Sequence, residues 1–138
     1  YLSLITDAYS RKIMGYCFRQ DLAAEGCIEA LKMALKNKLY NQSIIHHSDR
    51  GSQYCSHNYV DLLLKNNIAI SMTENGDPLE NAIAERVNGI IKEEYLNDYN
   101  INNIKEAKEL LTAVVLHLQK SFACFQVTPT TGYIRKPG

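Results

Sequence analysis

A mixed α/β domain, with a sheet sandwiched by helices, is the fold class this sequence predicts. Three observations predict it. Short β-branched runs alternate with one-faced helical patterns in the order β-β-α-β-α-β-α-α. The 138 residues allow one domain of ordinary size. The chain is 46% hydrophobic and 22% charged, which excludes disorder, collagen and coiled coil as descriptions of the whole.

Leu2 to Ile5 and Ile13 to Phe18 read as two strands joined by the turn-rich Asp7-Ala-Tyr-Ser-Arg-Lys, so a hairpin is expected. From Ala23 to Leu35 the apolar or small residues Ala24, Cys27, Ile28, Leu31, Ala34 and Leu35 recur on one helical face. Ser43 to His46 is a short buried strand running into the polar loop Ser-Asp-Arg-Gly. Ser56 is placed to cap a helix continuing through Leu64, and Ile68 to Met72 is the next strand.

The stretch Thr73 to Pro78 is a loop by composition, and Thr73 to Asp77 within it is expected to be mobile in the unbound chain. A long helix follows from Pro78 or Leu79 to about Leu96. Asn103 and Glu106 form a capping-box pattern that opens a last helix, with Ile104, Ala107, Leu111, Val114 and Leu118 on its apolar face.

Fifteen basic and fifteen acidic residues cancel, so any nucleic-acid contact must come from local placement of charge. Cys17, Cys27, Cys55 and Cys124 form no Cys-x-x-Cys pair, which argues for reduced thiols serving as core filler. The run from His46 to His57 lacks a second Cys/His pair at finger-like spacing, against structural zinc. No apolar run approaches membrane-spanning length. The chain begins in an apolar stretch without methionine or a secretory signature, and it reads as part of something longer.

Two places can carry chemistry. Asp49 follows the third strand, where sites in open α/β folds usually lie. On the long helix Asn81, Glu85, Asn88 and Lys92 recur as one polar stripe opposed by Ile83, Val87, Ile90 and Ile91. Thirty-five residues separate Asp49 from Glu85, and Lys92 lies two turns beyond.

Three segments appear in order: Leu4-Ile-Thr-Asp-Ala-Tyr-Ser-Arg-Lys-Ile-Met-Gly-Tyr16, His46-His-Ser-Asp-Arg-Gly-Ser-Gln-Tyr54, and Gly76-Asp-Pro-Leu-Glu-Asn-Ala-Ile-Ala-Glu-Arg86. On these the chain resembles the catalytic core of the retroviral-integrase superfamily, specifically bacterial insertion-sequence transposases with the DDE signature. The resemblance implies an RNase-H-like mixed sheet flanked by helices, with the first, central strand and its Asp missing from this chain. Residues 1–138 would then be a truncated catalytic core domain. Asp7 matches a hairpin position rather than the missing carboxylate. The expected element before Thr128-Pro129 is replaced by Leu118 to Val127, and only the Thr-Pro is kept.

What the resemblance implies for function is metal-dependent cleavage and strand transfer in DNA transposition. Asp49 and Glu85 would be catalytic and would hold Mg²⁺ or Mn²⁺, hard cations suited to carboxylates. Lys92, Arg50, Gln53, Asn81 and Asn88 would contact DNA, both element ends and target. A homo-oligomer, no membrane association and a cytoplasmic, nucleoid-associated setting are expected. Two other readings stay open: a non-catalytic remnant acting as a folded interaction module, and an RNase-H-like nuclease, which the Asp-to-Glu spacing fits less well.

Overall fold

The computed structural model describes residues 1–7, 10–21, 23–37, 43–72, 82–97 and 101–123. Its elements are β1 (Leu2–Thr6), β2 (Ile13–Phe18), α1 (Ala24–Lys36), β3 (Ile44–Ser48), α2 (His57–Lys65), β4 (Ile68–Met72), α3 (Ala82–Ile90) and α4 (Ile104–Ala123). α3 runs on into a wider π-helical segment, Ile91–Leu96. The order is the one the periodicities predict. Thr73 to Asn81, with the expected mobile loop and the start of the long helix, lies outside the described residues, as do Cys124 and Thr128-Pro129.

β1 and β2 pair antiparallel, Leu4 opposite Tyr16 and Ile5 opposite Gly15, with an irregularity between Ile5 and Thr6. Asp7 closes this hairpin: its N–H donates to the Lys12 carbonyl at 2.8 Å and its carboxylate accepts the Ser10 hydroxyl at 2.6 Å. Arg11 takes the left-handed conformation that the tight return demands, at φ 63°. β3 and β4 pair in parallel, Ile44 opposite Ile68 through Ser48 opposite Met72. Among the described residues β1 has no strand partner besides β2, and β3 none besides β4.

Alternation along β1 and β2 gives the sheet two apolar faces. Leu4, with Leu2, Tyr16 and Phe18, packs on Val87 and Ile91 and on Leu111, Val114, Val115 and Leu118 of α4. The opposite face meets α1, where Ile5 joins a second cluster of Cys27, Leu31, Tyr59, Leu63 and Ile68. Gly15 is needed there. A β-carbon on it would stand 1.9 Å from the Ala30 carbonyl oxygen, so the missing side chain lets α1 lie against the strand. This is the mixed α/β architecture, sheet flanked by helices, that the sequence indicates.

Capping follows the sequence at one helix and departs from it at another. At α4 the Glu106 N–H donates to Asn103 Oδ1 at 2.9 Å, while the Glu106 carboxylate reaches back to the Asn103 amide and the Asn102 N–H. Ser56 stands at the N-cap of α2, but its hydroxyl donates to the Gln53 carbonyl at 3.0 Å and caps nothing.

Candidate nucleic-acid and metal site

Asp49 comes directly after the last residue of β3 and is exposed. Its Oδ1 accepts the Gly51 N–H at 2.9 Å, and the Gly51 carbonyl accepts the N–H groups of Tyr54 and Cys55 at 3.0 and 3.2 Å. This Asx-type turn folds the Asp49-Arg50-Gly51 segment on itself. The carboxylate therefore has a defined place at the end of β3, which is half-buried from Ile44 to His47 and buried only at Ser48 rather than buried throughout as the sequence suggested.

A cluster that sequence reasoning missed anchors the turn. His46 of β3, Tyr54 of the loop and Tyr59 of α2 pack edge to face, with His46 and Tyr54 each about 5.5 Å from the Tyr59 ring. His46 Nε2 and the Tyr59 hydroxyl share a hydrogen bond of 2.8 Å. Burial, reinforced by the charge of neighbouring His47, holds His46 down at a pKa of about 4. Burial also pushes the Tyr54 and Tyr59 hydroxyls well above their usual range. The anchor is thus an uncharged aromatic wedge at neutral pH. The signal for it lay in the sequence as His46, Tyr54 and Tyr59, but only the packing of three elements brings them together.

Glu85 is exposed in the first turn of α3. Val87 of α3 and Ile91 at the start of the π-helical segment are buried, while Ile90 is half-buried like Asn88. Arg50 is exposed in the Asp49 turn. Asn81 lies outside the described residues. Asn88 is half-buried, and its Oδ1 is shielded from solvent without a hydrogen-bond partner among the described residues. Lys92 is exposed on the π-helical segment, whose wider turn is closed by the Asn97 N–H donating to the Lys92 carbonyl at 3.0 Å. Gln53 and Lys92 line one cavity despite their separation in sequence.

No group of three or more His, Cys, Asp and Glu side chains capable of holding a metal occurs among the described residues. Among the described residues Cys17 and Cys27 are buried free thiols that fill the core, whereas Cys55 is exposed and fills none. Burial and a bond to Glu29 raise Cys17 to a pKa of about 11, which leaves it unreactive. No described helix is long and apolar enough to cross a membrane.

Comparison with known proteins identifies the family. Two models described as integrase core domain match the chain, one over residues 1–78 and the other over residues 66–118. The uncharacterized 31 kDa protein of insertion element IS600 from Shigella sonnei is 37% identical over 107 residues, covering 78% of this chain and 39% of that protein. Transposase InsF for insertion sequence IS3A from Escherichia coli K12 is 35% identical over 85 residues, covering 62% of this chain and 30% of the transposase. The chain thus spans well under half the length of these relatives. With the Asp49 turn inside the first match and Glu85 and Lys92 inside the second, the chain belongs to the integrase core family, in the branch of bacterial insertion-sequence transposases.

Proposed function

We propose that this chain is the catalytic-core portion of a DNA transposase, contributing Asp49 and Glu85 to metal-dependent phosphodiester cleavage and strand transfer. The observation that carries the reading is the placement of Asp49. Its carboxylate is exposed just beyond β3, steadied by the Gly51 N–H and backed by the His46–Tyr54–Tyr59 wedge. Exposure of Glu85 on α3, after a thirty-five-residue interval, is the second support.

The donor set fits a hard divalent cation in part. Asp49 engages only Oδ1, in the bond from the Gly51 N–H, among the described residues, so Oδ2 and the exposed Glu85 carboxylate can serve Mg²⁺ or Mn²⁺. Such ions, when bound, neutralise charge on the attacking and leaving oxygens of a phosphodiester. The chain's own part is to hold the two carboxylates and to orient DNA beside them, with Lys92, Arg50, Gln53, Asn81 and Asn88 as contacts. Two carboxylates satisfy few of the six positions that Mg²⁺ requires, so a further ligand must complete the site. Residues 1–138 alone are therefore expected to bind metal weakly and join no DNA ends. Within a homo-oligomer working on DNA at the nucleoid, the same residues would form part of a complete site.

Titration with Mn²⁺ tests the reading. Binding should be weak in the unaltered chain and lost in Asp49→Asn and Glu85→Gln. Equal binding by all three would place the metal elsewhere and sink the proposal. One observation favours the alternative of a folded, non-catalytic interaction module: among the described residues the strands form two separate pairs, and β1 and β3 each have an open side.

A further inference from the structure

A cavity of about 190 Å³ opens between the start of β1, the β2–α1 connection, the first turns of α1, Gln53 and Lys92. The sequence reading selected Gln53 and Lys92 as DNA contacts but gave no role to Arg19, the third long polar side chain on the cavity wall.

Arg19 is held in place. Its backbone continues the hairpin ladder, its N–H donating to the Tyr1 carbonyl at 2.8 Å. Its Nε and one terminal nitrogen donate to the two oxygens of Asp21 at 2.6 and 3.1 Å, and Glu29 stands 3.7 Å from the other terminal nitrogen. Gly26 leaves room for the arginine stem, since a β-carbon there would lie 2.9 Å from Arg19 Cδ. Asp21 engages two of the five N–H donors of the guanidinium, so donors remain for another acceptor on a side chain already ordered. Lys92 reaches the same cavity from the far end of the α3 helix and has no ion-pair partner among the described residues. Gln53 adds a neutral amide that can donate.

Arg19, Lys92 and Gln53 place planar donors, an ammonium and an amide around a small space of mixed polar and apolar walls that the Asp21 carboxylate also lines, a set in which donors outnumber the one carboxylate and which suits one tetrahedral oxyanion. We propose that this cavity seats a single backbone phosphate of DNA between Arg19 and Lys92, with Asp21 as the positioning residue for Arg19. The inference rests on the DNA-transposase reading and deepens it, by assigning a phosphate seat apart from the Asp49 and Glu85 carboxylates. Phosphate contacts fix the register of a duplex without reading its sequence, so the seat would set how DNA lies relative to Asp49.

The test measures binding of the 138-residue chain to a short duplex as a function of KCl. Arg19→Gln and Lys92→Gln should each weaken binding about 3- to 10-fold and flatten the salt slope by about 0.9, for one phosphate lost. Because both side chains serve one phosphate, the double variant should lose no more slope than either single. Arg19→Lys, which keeps the charge, should recover most of the affinity, and Lys65→Gln on the exposed end of α2 should change nothing. Circular dichroism confirms that the variants fold. Unchanged binding by Arg19→Gln, or slope losses that add in the double variant, overturns the shared seat. Inorganic phosphate at matched ionic strength forms the second arm: protection from thermal unfolding that needs Lys92, with DNA binding indifferent to both substitutions, assigns the cavity to a free anion and overturns the proposal. A chain without salt-dependent DNA binding defeats the seat, while the Mn²⁺ titration reports separately on the carboxylates.

Discussion

The Tyr59 hydroxyl lies 2.8 Å from Nε2 of His46, and this bond joins the strand that leads into Asp49 to the helix that follows it. Tyr59 is fully buried, and His46 Nδ1 is enclosed without a hydrogen-bond partner among the described residues. Protonating His46 would place an uncompensated charge in the second core cluster. Its pKa of about 4 in the fold lies below the ordinary 6.5, so the unfolded chain binds the proton first as pH falls. The stability this residue contributes is complete above pH 6.5 and is lost as pH drops toward 4, by about 3 kcal/mol in all. Urea midpoints for the wild type should fall more steeply between pH 7 and 4.5 than those of His46→Phe. Parallel curves would show that His46 is not the acid-labile group.

Tyr59→Phe removes only the hydroxyl and leaves both ring nitrogens of His46 unpartnered. A cost of about 1–3 kcal/mol is expected from the unsatisfied buried group. Chemical denaturation at pH 7 measures it, and a change within error would mean that the ring contacts alone hold the wedge.

Two glycines should respond oppositely to alanine. At Gly15 the new β-carbon meets the Ala30 carbonyl oxygen and the Ala34 nitrogen of α1 backbone, neither of which can move without displacing the helix. Gly15→Ala should cost at least about 3 kcal/mol or prevent folding. Nothing stands within 4 Å of a β-carbon at Gly89, in the interior of α3, so Gly89→Ala should stabilise by about 0.5–1 kcal/mol. Melting temperatures that shift the same way for both variants would contradict the packing of α1 on β2.

Asp49→Asn separates stability from chemistry. The amide oxygen of asparagine can still accept the Gly51 N–H, so the turn survives and stability should change by less than about 0.5 kcal/mol. Mn²⁺ binding should nevertheless be lost. A large fall in melting temperature would show that the carboxylate serves the fold before any metal.

Open strand sides invite pairing. Since β1 pairs only with β2 and β3 only with β4 among the described residues, their free backbone groups can accept a strand from another chain. Light scattering at micromolar concentration should report a dimer or larger. A strictly monomeric chain over that range would remove the argument for strand exchange between copies.

By itself the sequence determined the elements and their order, because period-two and period-3.6 apolar patterns, caps and turns are local. The Asn103–Glu106 box is an example: both partners lie within one helical turn, and the bonds formed as the spacing indicated. The resemblance to the family was likewise legible in the chain alone, in the three segments Leu4 to Tyr16, His46 to Tyr54 and Gly76 to Arg86 taken with the Asp49-to-Glu85 interval. Only tertiary structure decided the rest. Ser56 turned its hydroxyl to Gln53 because a loop carbonyl competed for it, and Gly15 proved indispensable through contact with a helix that no local pattern places there. The His46–Tyr54–Tyr59 wedge and the meeting of Arg19 with Lys92 depend on elements distant in sequence. Their geometry is set by which apolar faces bury one another, and that choice is made by the fold as a whole.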